Sequence, residues 1–94
     1  MLDLILDSLR VISLPMKTNF RGINHREVAF FEGPQGWAEF SPFLEYSDEE
    51  SSHWLACAIE AATQAPPTLY RSSIGVNATM PALNSQSEIA DVLA

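Results

Sequence analysis

Residues 26–40 read REVAFFEGPQGWAEF, and their reading decides the fold. Two runs of alternating side chains flank a four-residue break. In the first, Val28 and Phe30 point one way and Ala29 and Phe31 the other. In the second, Trp37 and Glu39 alternate with Ala38 and Phe40. Both runs are rich in aromatic and β-branched residues, the types that suit a pleated, half-buried surface. The break is Gly33-Pro34-Gln35-Gly36. Proline presets the first corner of a turn, and glycine accepts dihedrals that other residues avoid. An antiparallel hairpin is expected, with Gly33, Pro34 and Gly36 supplying its special dihedrals.

Upstream, RVISLPM (10–16) also alternates, with Val11, Ser13 and Pro15 opposite Ile12, Leu14 and Met16. It reads as a third strand. Pro15 cannot donate to a ladder, so it belongs at an edge or near the strand's end. KTNFRGIN (17–24) is polar and contains Gly22, so a loop or wide turn is expected there. Leu2, Ile5 and Leu9 recur at helical spacing before it and suggest a short helix.

Downstream, YSDEESSHWLACAIEAATQ (46–64) reads as a helix. Ser47 and Glu50 form a capping box, and Asp48 and Glu49 suit the positive end of the helix dipole. Trp54, Ala58 and Ala61 form one stripe, with Leu55, Ile59 and Ala62 beside it, a width suited to packing on a sheet. Ala65-Pro66-Pro67 stops it. Ile74 to Met80 then reads as a short apolar strand, and Ser85 with Glu88 opens a last helix. The expected class is α+β: a three-stranded antiparallel meander packed by a helix over residues 1–72, followed by a single β-α unit over 73–94.

Composition bounds the function. The chain has 94 residues, one small domain, and a formal net charge of −7. With five Lys and Arg it has no basic patch for nucleic acid or for an anionic membrane surface. MLDLILDSL at the start lacks a basic flank and is interrupted by Asp3 and Asp7, unlike a signal peptide. The single cysteine, Cys57, excludes an internal disulfide and fits a reducing compartment, so a cytoplasmic protein is expected.

Catalytic constellations are weak. His53 and Cys57 sit one helical turn apart, but zinc needs two further ligands, and His25 lies in another element. Ser41-Pro42 is turn chemistry, and no nucleophile elbow, phosphate loop or dinucleotide fingerprint occurs. Asp48, Glu49 and Glu50 are explained by their place in a first helical turn. Two apolar loops are harder to dismiss. Phe20-Arg21-Gly22 precedes the second strand and Phe43-Leu44 follows the third. If those strands pair antiparallel, both loops emerge at one end of the sheet, like a lid over a ligand.

The residues LPMKTNFRGINHREVAFFEGPQGWAEFSPFLEY (14–46) resemble the N-terminal capping domain of the o-succinylbenzoate synthase family of the enolase superfamily. WLACAIEAATQAPP is similar to the long helix of the family's short-cap branch, and VNATMPA to its first barrel strand. Ala38 departs from the family's usual glycine. The resemblance implies a Mg²⁺-dependent dehydratase of menaquinone biosynthesis, a lyase acting on a dicarboxylate. Its bases and metal ligands would lie in a (β/α) barrel that this chain does not contain. It implies that Phe20, Arg21, Gly22, Phe43 and Leu44 cover the barrel mouth, and that Asn77, near a barrel strand's end, also faces substrate.

This chain has one lysine, Lys17, so the paired lysines of such a barrel cannot be here, and one strand cannot close a barrel. The expectation is therefore a cap plus the first unit of an incomplete TIM-type barrel, with no catalytic residue or metal ligand of its own. Its partners would be the missing C-terminal barrel domain, the substrate and, through uncovered barrel-facing surface, a second copy. The alternative is a small, non-enzymatic protein-interaction module.

Overall fold

A computed structural model describes residues 1–94. Helix α1 (Leu2–Ser8) leads into strands β1 (Arg10–Phe20), β2 (Ile23–Gly33) and β3 (Gly36–Phe40), followed by helices α2 (Asp48–Thr63) and α3 (Gln86–Leu93). The strands form one antiparallel sheet in the order β1-β2-β3, the expected meander.

The β2–β3 register pairs Phe31 with Ala38 and Ala29 with Phe40. Period-two alternation therefore sets Phe31, Ala38 and Phe40 on one face. That face meets Ala58 and Ala62 of α2, with Ile5 of α1 packed beside them. Phe31 is 2% exposed and is the largest side chain in this cluster. The helix comes close because its contact residues are small: Ala58 and Ala62 are buried, while Leu55, Ile59 and Trp54 remain partly exposed at its flanks. Ser47 caps α2 by accepting a 3.2 Å hydrogen bond from the Glu50 amide, and Ser85 does the same for Glu88 in α3. Ser8 fixes α1 to the sheet: its hydroxyl accepts from the Glu32 amide at 2.8 Å.

Three expectations change. The loop expected over 17–24 is instead strand on both sides of a two-residue turn, Arg21-Gly22. Both turn residues have positive φ, 54° and 75°, the dihedral signs of a type I′ hairpin turn. β1 looked like a loop there because nearly all its side chains are exposed, so no apolar alternation marks it. Its register is also interrupted: four residues, Met16 to Asn19, face the single Asn24 between the Pro15–His25 and Phe20–Ile23 pairs. The irregularity begins at Pro15, which has no amide hydrogen to continue the ladder.

At the other hairpin only Gly36 has positive φ, 124°. Gly33 is needed for a different reason: a Cβ there would lie 2.4 Å from the Ala62 carbonyl oxygen.

The strand expected at Ile74–Met80 does not form; residues 65–83 carry no helix or strand. A parallel-type strand needs a neighbour to satisfy its backbone, and none exists in this chain. Ile74 and Val76 stay exposed. Of the expected β-α unit only the helix, α3, forms, and it lies near β1. The extended segment also explains a radius of gyration of 16.6 Å, against about 12 Å for a compact domain of this length.

Candidate functional site

The tip of the β1–β2 hairpin and the segment after β3 lie together, as the antiparallel pairing requires. Between them is a cleft of about 280 Å³, lined by Arg21, Ile23, His25, Arg26, Glu27 and the run Pro42–Glu45. Arg21 is presented from the turn itself, in a left-handed conformation that non-glycine residues seldom adopt. Pro42 lacks an amide hydrogen, and β3 stops at Phe40, just before it, freeing Phe43 and Leu44 to fold back over the hairpin.

Phe43 is the hub. The guanidinium carbon of Arg21 sits 4.0 Å from its ring centroid and that of Arg26 sits 4.1 Å away. Both distances lie within cation–π range. Tyr46 packs edge-on against Phe43 with centroids 5.8 Å apart, and Trp54 of α2 packs against Tyr46 at 5.5 Å. An aromatic chain thus ties the cleft wall to α2.

The two arginines are used differently. Arg21 Nη2 donates to Glu45 Oε1 at 2.5 Å, and its Nη1 makes a long 3.5 Å contact with the Tyr46 hydroxyl. The anion that Arg21 holds is Glu45, from the facing segment. The Tyr46 hydrogen bond, with the Glu45 charge behind it, raises the Arg21 pKa against an opposing desolvation. The guanidinium was already charged throughout the physiological range, so this alters no protonation state near neutrality. Arg26 Nη2 donates to the Ser41 carbonyl, and Arg26 forms no ion pair.

Of the residues singled out in the sequence, Arg21, Phe43 and Leu44 meet at this cleft, with Leu44 82% exposed at its rim. Gly22 forms the turn beside Arg21. Phe20 pairs across the hairpin with Ile23 and remains exposed, outside the lining. Asn77 lies in the irregular segment and does not join the cleft. Arg26, His25, Glu45 and Tyr46 escaped the sequence reading. The signal for Glu45 was available: an acid sits in the one loop predicted to face Arg21.

No three His, Cys, Asp or Glu side chains converge as metal ligands. The residues present do not fit a Mg²⁺ site, which needs several oxygen donors around one point. No helix is long and apolar enough to cross a membrane.

Comparison with known proteins agrees with this architecture. The chain is 48% identical over 93 residues to the o-succinylbenzoate synthase of Mycobacterium tuberculosis H37Rv, covering 99% of this chain and 28% of that protein. It is 50% identical over 90 residues to the o-succinylbenzoate synthases of Mycobacterium ulcerans and Mycobacterium marinum, covering 96% of this chain. The chain therefore spans a little over a quarter of the length of the curated relatives it matches. The profile of the enolase N-terminal domain-like family matches residues 11–62, from the second residue of β1 to the last buried residue of α2. With that match running through the meander and its packing helix, the chain belongs to the enolase N-terminal domain-like family.

Proposed function

We propose that this chain is the capping and specificity domain of an o-succinylbenzoate synthase, a Mg²⁺-dependent lyase of menaquinone biosynthesis in the cytoplasm. The observation that carries the reading is near-50% identity across almost the whole chain to synthases of that name. The cleft between hairpin tip and post-β3 segment supports it, because a cap acts through loops gathered at one end. Base, metal and acid ligands would come from the barrel domain, since nothing here could abstract a proton α to a carboxylate or hold Mg²⁺.

In this reading residues 1–72 are the cap, and 73–94 take their strand only against barrel neighbours. Phe20, Phe43 and Leu44 exclude water at the barrel mouth, which strengthens charge pairing inside it. Gly22 permits the tight turn, Arg21 exchanges Glu45 for a carboxylate of the dicarboxylate substrate, and Asn77 approaches from the barrel side. The apolar surface of Leu69, Tyr70, Ile74 and Val76 is the docking face for the barrel and, without it, a route to self-association.

The test is the complete protein assayed for o-succinylbenzoate formation with Mg²⁺. Turnover is expected from it and not from the 94-residue chain. Arg21→Ala in the complete protein should lower kcat/KM about ten- to a hundredfold, the effect of losing a charged hydrogen bond. Absence of turnover by the complete protein would remove this reading.

A further inference from the structure

Residues 41–46, between β3 and α2, carry no helix or strand. One main-chain hydrogen bond lies within them, from the Tyr46 amide to the Phe43 carbonyl at 3.1 Å. A stretch with so little backbone support is free to open locally unless side chains hold it. Two arginines of the facing hairpin do so, and they stand on different footings. Arg26 lies in the regular part of the β1–β2 ladder, paired with Leu14. Arg21 lies beyond the interruption between Pro15 and Phe20, in the turn itself. Arg26 is partly buried and Arg21 is exposed.

Both guanidinium groups rest on the Phe43 ring, at 4.0 and 4.1 Å from its centroid. That gathers two like charges on one ring, which repel. Glu45 offsets the charge of Arg21 by pairing with it. Arg26 has no carboxylate partner and is held instead by the Ser41 carbonyl. The two sets of contacts are unequal. Those of Arg26 are sheltered, and its backbone is already fixed by the sheet, so less freedom is lost in making them. Those of Arg21 are exposed and are screened by salt.

We infer that Arg26 is the positioning residue of this site: it docks the segment after β3 onto the sheet through the Ser41 carbonyl and the Phe43 ring, and the Arg21–Glu45 pair closes on a segment already placed. The sheet holds Arg26, Arg26 holds Phe43, and Phe43 with Glu45 holds Arg21. Coupling between the two sets of contacts is reciprocal in free energy, but the weaker set yields first when either is cut. The consequence for turnover rests on the capping-domain reading above, in which Phe43 and Leu44 cover a barrel mouth. Arg26 touches no reactant in that reading. It acts through the placement of Phe43 and Leu44, so its loss falls on KM and spares kcat.

Two substitutions separate charge from packing. Arg26→Met keeps an unbranched stem but loses the charge and the donors, and Arg26→Lys restores a charge and a donor. In the 94-residue chain, NMR follows the two arginine Nε–H signals, which the Phe43 ring displaces according to their closeness, and the relaxation of the Leu44 and Glu45 amides. With Arg26→Met the Arg21 signal should move to the position of a free arginine, and both amides should gain fast motion. With Glu45→Gln the Arg21 signal should move while that of Arg26 stays. In the complete protein Arg26→Met should raise KM about five- to tenfold, the effect of losing a sheltered cation–π contact and its hydrogen bond, with kcat little changed. Arg26→Lys should recover at least half of that rise on a logarithmic scale. In a Phe43→Leu background Arg26→Met should raise KM by less than about twofold, because the ring it acts through is gone. An Arg21 signal unmoved by Arg26→Met, an Arg26 signal released by Glu45→Gln, an unchanged KM in Arg26→Met, or additive effects in the double variant would each overturn the inference. Failure of the capping-domain reading is a different result, absent turnover by the complete protein with Arg26 in place, and the NMR measurements then still decide which arginine depends on which.

Discussion

Gly33 and Ala62 meet backbone to backbone. An ideal Cβ on Gly33 would fall 2.4 Å from the Ala62 carbonyl oxygen and 2.9 Å from its carbonyl carbon. The same oxygen accepts a 2.8 Å hydrogen bond from the Gln35 amide, so the hairpin end is clamped onto the end of α2. Gly33→Ala should destabilise the chain by about 3 kcal/mol, the upper part of the overpacking range, because neither backbone can yield without losing that hydrogen bond. Urea unfolding of the two chains measures this, and a change below about 0.5 kcal/mol would show the contact to be slack.

Phe31 is the only large side chain in the buried cluster, beside two alanines. Phe31→Ala should cost about 3–4 kcal/mol. For a chain with so small a core that is most of its stability, so loss of the cooperative thermal transition is the expected result.

Arg21 occupies a left-handed turn position at φ 54°. Arg21→Ala and Arg21→Gly delete the same interactions but differ in backbone freedom. The glycine variant should therefore be the more stable of the two by about 1 kcal/mol. Equal unfolding midpoints would mean that the turn relaxes away from this conformation.

The Arg21 pKa is raised in the folded chain. A raised base contributes stability that is complete below its unfolded pKa and disappears only as pH climbs through the folded value, here beyond the ordinary arginine range. This group should add no slope to stability between pH 6 and 10. Its pairing with Glu45 is exposed and should instead weaken with salt. Unfolding followed at several pH values and at low and high NaCl separates the two, with a difference between wild type and Glu45→Gln that shrinks as salt rises.

Much of the framework was legible in the sequence, and for local reasons. The β2–β3 hairpin announced itself through two alternating runs around Gly-Pro-Gln-Gly, and α2 through its capping box and its stop at Pro66-Pro67. The meeting of the two loops followed from antiparallel pairing alone. What escaped depended on partners. Residues 17–20 belong to a strand exposed on both faces, which carries no pattern, and Ile74–Met80 had strand composition but no neighbour. Within the cleft, Arg26 carried no signal beyond its place in the strand run. Its closeness to Phe43 comes from the chain folding back after Pro42, a non-local event that spacing does not encode.

The interruption at Pro15 has a consequence for solubility. β1 is an outer strand eleven residues long, the kind of border on which a foreign strand can polymerise. The four residues after Pro15 depart from the regular spacing of the ladder. A would-be template is thereby reduced to Arg10–Leu14, too short a track for stable fibrillar growth.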